Sequence, residues 1–374
     1  MHWSKLGAVA AVVAAAVSGF LMVTPPRGEG LDAPADRYSA ARAHALVAEF
    51  ADRPHLIGSP ANALVRDRIV AAFEGLGLTV ETRTTRTVYD HPRRDETRTR
   101  VAWPENIIAR LPGDGSRRGP GEALALMSHY DSVPTGHGAA DAMSGVASII
   151  EALRAIKASG QLLERDVVVI ITDGEEVGLL GAQAFFRTNP LHEEIGLLLN
   201  FEARGAAGVA SMFETGPDNA GWVREFGRAA PRPDASSVSV EIYRRMPNDT
   251  DATITLEAGI PFLNFAFIDD YFRYHAGADV AANLSQRSLQ HEGDNLLALL
   301  NHFGREDWPE SRSDATYFTA APGLLVVYGS LIAWLTVIAA VALAGLAIVR
   351  LVRRNRWFNP LLGAGAVLAA VAVA

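Results

Sequence analysis

Cysteine is absent from all 374 residues, which removes disulfides, thiolate zinc sites, iron–sulfur clusters and cysteine nucleophiles from consideration. The absence does not fix a compartment, because a core of roughly 280 residues needs no covalent staples. Acidic residues are missing from both ends: residues 1–23 carry Lys5 as their one charge, and residues 322–374 carry only Arg350, Arg353, Arg354 and Arg356. Those positive ends belong to a chain whose formal total is −8, so residues 24–321 hold a net −13. A surface that acidic repels a phosphate backbone and excludes general nucleic-acid binding. Three catalytic signatures are missing as well. No H-E-x-x-H, G-x-S-x-G or G-x-x-x-x-G-K-[ST] occurs, so a serine hydrolase or phosphate-loop enzyme would lack every recognisable part.

What is present at the ends is apolar. Leu6 to Val23 is uncharged behind Lys5, and residues 1–23 read as a signal anchor or a signal peptide. The anchor fits better, because the small-residue cleavage candidate Ala16-Val17-Ser18 would cut the apolar region short. Leu324 to Val349 is a second uncharged run, followed by the four arginines. At about 1.5 Å per residue it spans a hydrocarbon core of about 30 Å, so a transmembrane helix is expected over residues 324–349. Positive flanks stay in the cytoplasm, which puts the intervening domain outside it: periplasmic, extracellular or lumenal. Residues 350–374 then form a cytoplasmic arginine cluster and, from Leu361, the start of a further apolar segment. The chain reads as the front of a larger membrane protein.

Residues 35–305 alternate short β-rich runs with longer helical ones and contain no internal repeat. Helices are expected over residues 39–51, 62–76, 143–158, 179–187 and 294–303. Strands are expected over 79–86, 106–111, 123–127, 166–171, 196–200 and 261–268, with residues 84–100 as a polar excursion. Runs such as Val167-Val168-Val169-Ile170-Ile171 suit strands covered on both faces. The fold expected is α/β, with helices flanking a mixed, mainly parallel sheet and transmembrane helices at both ends.

Four apolar strands run directly into ionisable residues: His129 and Asp131; Asp173, Glu175 and Glu176; Glu202; and Tyr274 and His275. Ligands of open α/β sheets sit outside the carboxyl ends of strands, so these groups should converge, joined by Asp141 ahead of the helix at Met143. Alone, each has an ordinary reading: a structural histidine, a solvated glutamate pair, or for Asp141 a helix N-cap with Ser144 as competitor. Together, two imidazoles and several carboxylates form the donor set that zinc prefers. Clustered carboxylates also call for a neutralising cation.

In this order the residues resemble metallopeptidase family 28, the dizinc aminopeptidases. The matching pieces are His129-Tyr130-Asp131-Ser132, Asp141 with Ser144-Gly145-Val146, Gly174-Glu175-Glu176 with Gly178-Leu179-Leu180-Gly181, Asn200-Phe201-Glu202, and Tyr274-His275. Segments His55-Leu56-Ile57-Gly58-Ser59 and Gln290-His291-Glu292-Gly293-Asp294-Asn295 look like the family's membrane-anchored branch. The resemblance implies a zinc exopeptidase fold and two zinc ions. His129 and Glu202 would hold one, Glu176 and His275 the other, and Asp141 would bridge them. It further implies Glu175 as general base, Asp131 as the orienter of the His129 ring, and Tyr274 as oxyanion stabiliser. Two positions depart from the family pattern without removing a ligand: Ala142-Met143 follows the bridging aspartate, and Glu202 stands where many soluble members have aspartate. The expected activity is a membrane-anchored aminopeptidase acting on peptides with a free N-terminus. The alternatives are a glutaminyl cyclase and a catalytically silent scaffold or receptor on the same fold.

Overall fold

A computed structural model describes residues 2–93 and 96–353. The elements run α1 (His2–Met22), α2 (Ala40–Phe50), α3 (Pro60–Gly75), β1 (Thr79–Thr84), β2 (Thr87–Arg93), β3 (Glu96–Ala102), β4 (Glu105–Leu111), β5 (Ala123–His129), α4 (Met143–Ser159), β6 (Val167–Thr172) and α5 (Leu180–Thr188). They continue as β7 (Ile195–Ala203), β8 (Ser211–Thr215), α6 (Ala220–Ala229), α7 (Ser237–Tyr243), α8 (Asp251–Glu257), β9 (Phe262–Phe267), α9 (Gln286–Phe303), β10 (Ala315–Ala321), β11 (Leu324–Gly329) and α10 (Ser330–Arg353).

The sheet is mixed, in the order β1-β4-β6-β5-β7-β9-β8. Its centre, β6-β5-β7-β9, is parallel, and antiparallel strands close both flanks. Every residue of β5, β6 and β9 is buried, as near-continuous apolar runs covered on both faces require. On one face Leu126, Val169 and Leu199 meet α2, α4 and α9; on the other Met127, Val168 and Leu198 meet α5 and α8. Each fully buried side chain of this size contributes about 1.5–3 kcal/mol of transfer free energy.

Several helix starts follow capping chemistry, and among those that do not, one exception is informative. The hydroxyls of Ser39, Ser59 and Ser285 each accept a backbone N–H in the first turn of α2, α3 and α9. Because Ser285 is the cap, α9 begins at Gln286, two turns ahead of the expected Asp294. The exception is α4, whose first turn has no side-chain cap. Ser144 turns back to donate to the Ala140 carbonyl at 2.6 Å, and Asp141 is left free for other partners.

Two hairpins correct the expected boundaries. The polar stretch 84–100 is the antiparallel pair β2–β3, whose Arg100 donates to the Val177 carbonyl and so packs beside the Glu175-Glu176 loop. The apolar run that begins at Leu324 is not helical from its start. Residues Leu324–Gly329 form β11, paired antiparallel with β10, and the helix begins at Ser330. An uncharged strand followed by an uncharged helix has no polar boundary to read. The globular part thus runs past residue 305 to Gly329: Tyr317 is buried, and the Tyr317 N–H donates to the Ser237 hydroxyl at 2.7 Å, clasping β10 onto α7.

Among the described residues, the helix over Ser330–Arg350 is the one long and apolar enough to cross a membrane, and no other part of the chain covers it. Among the described residues, the apolar helix at the N-terminus, Val12–Met22, is shorter. The arginines at 354 and 356 and the apolar run from Leu361 lie outside the described residues.

Candidate metal centre

The carboxyl ends of the parallel strands deliver the expected groups. His129 is the last residue of β5, Glu202 lies near the end of β7, and the β6–α5 connection brings Glu175 and Glu176. That connection turns at Gly174 with φ +77°, a conformation open to glycine. A Cβ there would come within 2.7 Å of Ile57.

Asp141 stands at the centre. One of its oxygens, Oδ1, lies 3.2 Å from His129 Nε2, and the other, Oδ2, lies 3.2 Å from His275 Nε2. Each histidine meets a second carboxylate. Glu202 Oε2 is 3.4 Å from His129 Nε2, and Glu176 Oε2 is 3.0 Å from His275 Nε2. Two triads share Asp141, His129–Asp141–Glu202 and Asp141–Glu176–His275, and a third group is His129–Glu175–Glu176; in each the donor atoms lie within 4.8 Å of one another. His129 and Asp141 are buried, whereas the His275 side chain is 37% exposed at the mouth of the site.

The supporting contacts refine the sequence reading of Asp131. Its carboxylate accepts the backbone N–H groups of Glu175 at 2.9 Å and Glu176 at 3.2 Å, so it holds the glutamate loop. The His129 ring contacts Asp131 chiefly through the backbone carbonyl, 3.0 Å from Nδ1, while the nearer carboxylate oxygen is at 3.6 Å. Tyr274 stacks on His275 and lines the cavity in front of the triads, together with Glu175.

Electrostatics follows from the crowding. Burial raises Glu175 well above the usual carboxyl range, with His129 opposing and Glu202 adding to the rise. Burial, then the Asp141 charge, lifts Glu176 to about 8. Asp141 behaves oppositely: burial works to raise it, but hydrogen bonds from His129 and His275 hold it at about 2. Burial disfavours charge on both histidines, yet the Glu202 charge drives His129 above its usual value, and hydrogen bonds to Asp141 and Glu176 take His275 to about 9. The site therefore concentrates positive charge, and a divalent cation bound there would displace those protons. The donor set also fits a metal on a second ground. Glu176 Oε1 is buried without a hydrogen-bond partner, a costly state unless another ligand takes it up.

Several contributors have no role in the sequence reading. Asp279 accepts the Ala140 N–H at 2.7 Å and also the Asp141 N–H, bracing the peptides next to the central carboxylate. Asn200 donates to Glu202 at 3.3 Å and to Asn264 at 3.0 Å, and Asn264 donates to Glu214 at 3.0 Å, forming a polar chain through the sheet. Alternation alone could have placed Asn200 and Asn264 opposite one another across β7 and β9, but nothing linear links Asp279 to Ala140.

The family model for Peptidase family M28 matches residues 106–300, over half of the chain. The chain belongs to peptidase family M28. Among curated M28-like relatives, it is 33% identical over 263 residues to Endoplasmic reticulum metallopeptidase 1 of Mus musculus, an alignment covering 67% of this chain and 29% of the relative. It is 34% identical over 223 residues to the Vacuolar membrane protease of Candida albicans, covering 58% of this chain and 25% of that one. The chain thus spans less than a third of the length of either protein. An aminopeptidase from Aneurinibacillus sp. strain AM-1 superposes with TM-score 0.58 at 14% identity, over 75% of this chain and 98% of the other. Glutaminyl cyclase of Porphyromonas gingivalis superposes at 0.53 with 19% identity, over 70% and 96%. At these identities the two structures establish the M28 member's fold and nothing finer.

Proposed function

We propose that this M28 chain is the peptidase part of a membrane-anchored, zinc-dependent aminopeptidase with a two-metal centre. The observation that carries the reading is Asp141, which offers one oxygen to each of two histidine–carboxylate pairs. His129 and Glu202 would hold one zinc ion, Glu176 and His275 the other, with Asp141 between them. Zinc, when bound, supplies Lewis acidity toward the scissile carbonyl and lowers the pKa of a bound water.

The chain's own residues account for the remaining steps. Glu175, buried and raised in pKa, is suited to take a proton from the attacking water and return it to the leaving amine. Its position is set by Asp131 through the loop N–H groups. The Tyr274 hydroxyl donates to the oxygen that gains negative charge as the carbonyl is attacked. Acidic lining from Glu175, Glu202 and Asp249 favours a protonated α-amine, which supports a free N-terminus on the substrate.

The cyclase alternative is disfavoured by the short path from Glu176 to α5, which starts at Leu180 and leaves no insertion beside the centre. The silent-scaffold alternative is disfavoured because all five proposed ligands are present. We also retain the topological reading: residues 1–23 as a signal anchor, the peptidase domain outside the cytoplasm, and the arginines at 350–356 within it.

The deciding experiment is metal analysis of the purified full chain with hydrolysis of a peptide set carrying free or acetylated N-termini. Two zinc ions per chain, loss of turnover on chelation, recovery with zinc and cleavage confined to free N-termini are expected. Metal-free protein that cannot be loaded would end the enzymatic reading, and pyroglutamate formation would transfer it to the cyclases.

A further inference from the structure

We propose that Arg204 forms a carboxylate-binding subsite in the catalytic cavity, selecting substrates with an anionic group within about three residues of the scissile bond. This deepens the peptidase reading and rests on it.

The cavity in front of the triads has a volume of about 310 Å³. Four acids line it, Asp141, Glu175, Glu202 and Asp249, and Arg204 is the one cation among the lining residues. Arg204 forms no ion pair among the described residues, although four acids line the same cavity. Its guanidinium instead lies 5.3 Å from the centre of the Tyr274 ring. With the Asn248 amide turned so that its oxygen faces the arginine, that oxygen accepts from both terminal nitrogens, Nη2 at 3.2 Å. A half-buried guanidinium with five donors and one neutral acceptor has unused capacity for a planar, bidentate anion.

The position of Arg204 is held by backbone. Its N–H donates to the Phe267 carbonyl at 3.0 Å, tying the end of β7 to β9. Gly205 follows, and a Cβ there would lie 2.2 Å from the Asp269 carbonyl oxygen, so the close approach of the two segments requires glycine. Tyr274 then connects the subsite to the centre, since one of its neighbours is Arg204 and the other is the His275 ring, 3.7 Å away between centroids. One residue of extended chain covers at most about 3.6 Å. The step from His275 across Tyr274 to Arg204, made of separations of 3.7 and 5.3 Å, is therefore within the reach of a carboxylate up to about two or three residues from the reacting carbonyl.

Peptides supply such a group from two sources: the C-terminal carboxylate of a dipeptide, or an aspartate or glutamate side chain at the cleaved terminus. A neutral substrate satisfies neither. The apolar lining from Phe213, Ile242, Met246 and Ile268 would take the uncharged part of the same substrate.

The test compares Leu-Leu, Leu-Leu-amide and Glu-Leu-amide, all with free N-termini, on zinc-loaded full chain in detergent. Turnover gives kcat/KM, and calorimetry on the slow Glu175→Gln variant gives affinity without turnover. Charge-assisted bidentate bonding predicts a preference of about tenfold to a hundredfold for a carboxylate-bearing substrate over Leu-Leu-amide. Arg204→Gln should collapse that ratio toward one in both measurements, and Arg204→Lys should restore part of it. Preference for Leu-Leu assigns the C-terminal source, and preference for Glu-Leu-amide the side-chain source. Equal use of all three by wild type, or a ratio that survives Arg204→Gln, overturns the subsite while leaving the peptidase reading intact. Failure of all three to bind or react overturns both.

Discussion

The rings of Tyr274 and His275, adjacent in sequence, lie face to face at 3.7 Å between centroids and 17° between planes. The backbone makes this arrangement by placing His275 at φ +55°, a left-handed conformation that few non-glycine residues adopt. The stack fixes the phenol beside the second triad, where its hydroxyl can serve as a donor.

Tyr274→Phe keeps that stack and deletes the hydroxyl. On the proposed mechanism, kcat should fall about 100- to 1,000-fold, as for loss of one oxyanion donor, with zinc content unchanged. Steady-state kinetics on metal-quantified protein checks this, and a kcat within twofold of wild type would remove Tyr274 from the chemistry.

The two neighbouring glutamates should separate by metal content. Glu176→Gln is expected to lose zinc from one position and activity with it. Glu175→Gln should retain both ions and lose about 100- to 10,000-fold in turnover, the typical worth of a positioned base. Inductively coupled plasma analysis alongside kinetics distinguishes the two, and full turnover by two-zinc Glu175→Gln would reject the base assignment.

Glu292 gives a pH dependence away from the centre. It is buried in α9, neither oxygen makes a sound hydrogen bond, and burial raises it from 4.5 to about 8; the opposing Ser148 hydroxyl is shared with Tyr38. A carboxyl raised on folding binds its proton more tightly in the native state. Its stabilising contribution is thus complete below about 4.5 and drains away as pH rises toward about 8. Glu292→Gln, neutral throughout, should be more stable than wild type at pH 8 by about 1–3 kcal/mol and gain little at pH 5. Thermal unfolding at the two pH values measures the difference, and parallel curves for both proteins would contradict it.

Topology can be read with reporters. A periplasmic-type reporter fused after Gly329 should be active only outside the cytoplasm, and one fused after Arg356 only inside. The reverse pattern would relocate the catalytic cavity to the cytosol.

The inner strands were legible because burial on both faces leaves an uninterrupted apolar run, and ionisable residues mark where each run ends. That combination points to His129, Glu175, Glu176, Glu202 and the Tyr274-His275 pair from the sequence alone. The hairpins were not legible: β2–β3 is polar and lies off the main sheet, and β11 merges without a charged boundary into α10. Arg204 and Asp279 are not legible in the sequence for a different reason. Their partners, Asn248 for one and Ala140 for the other, are distant in sequence, so only the folded chain brings them together.

The clasp between β10 and α7 bears on how the domain can be separated from its membrane helix. A fragment stopped near Phe303 would uncover α6 and α7, and with α7 a wall of the catalytic cavity. A fragment carried through Gly329 keeps that wall but ends on β11, which has β10 on one side and, among the described residues, no strand on the other. Leu324 is exposed there, so the released domain would carry a sticky border suited to pairing with another copy. Shortening this chain for solubility thus sets an intact cavity against a tendency to aggregate, and a charged replacement at Leu324 is the simplest way to separate the two.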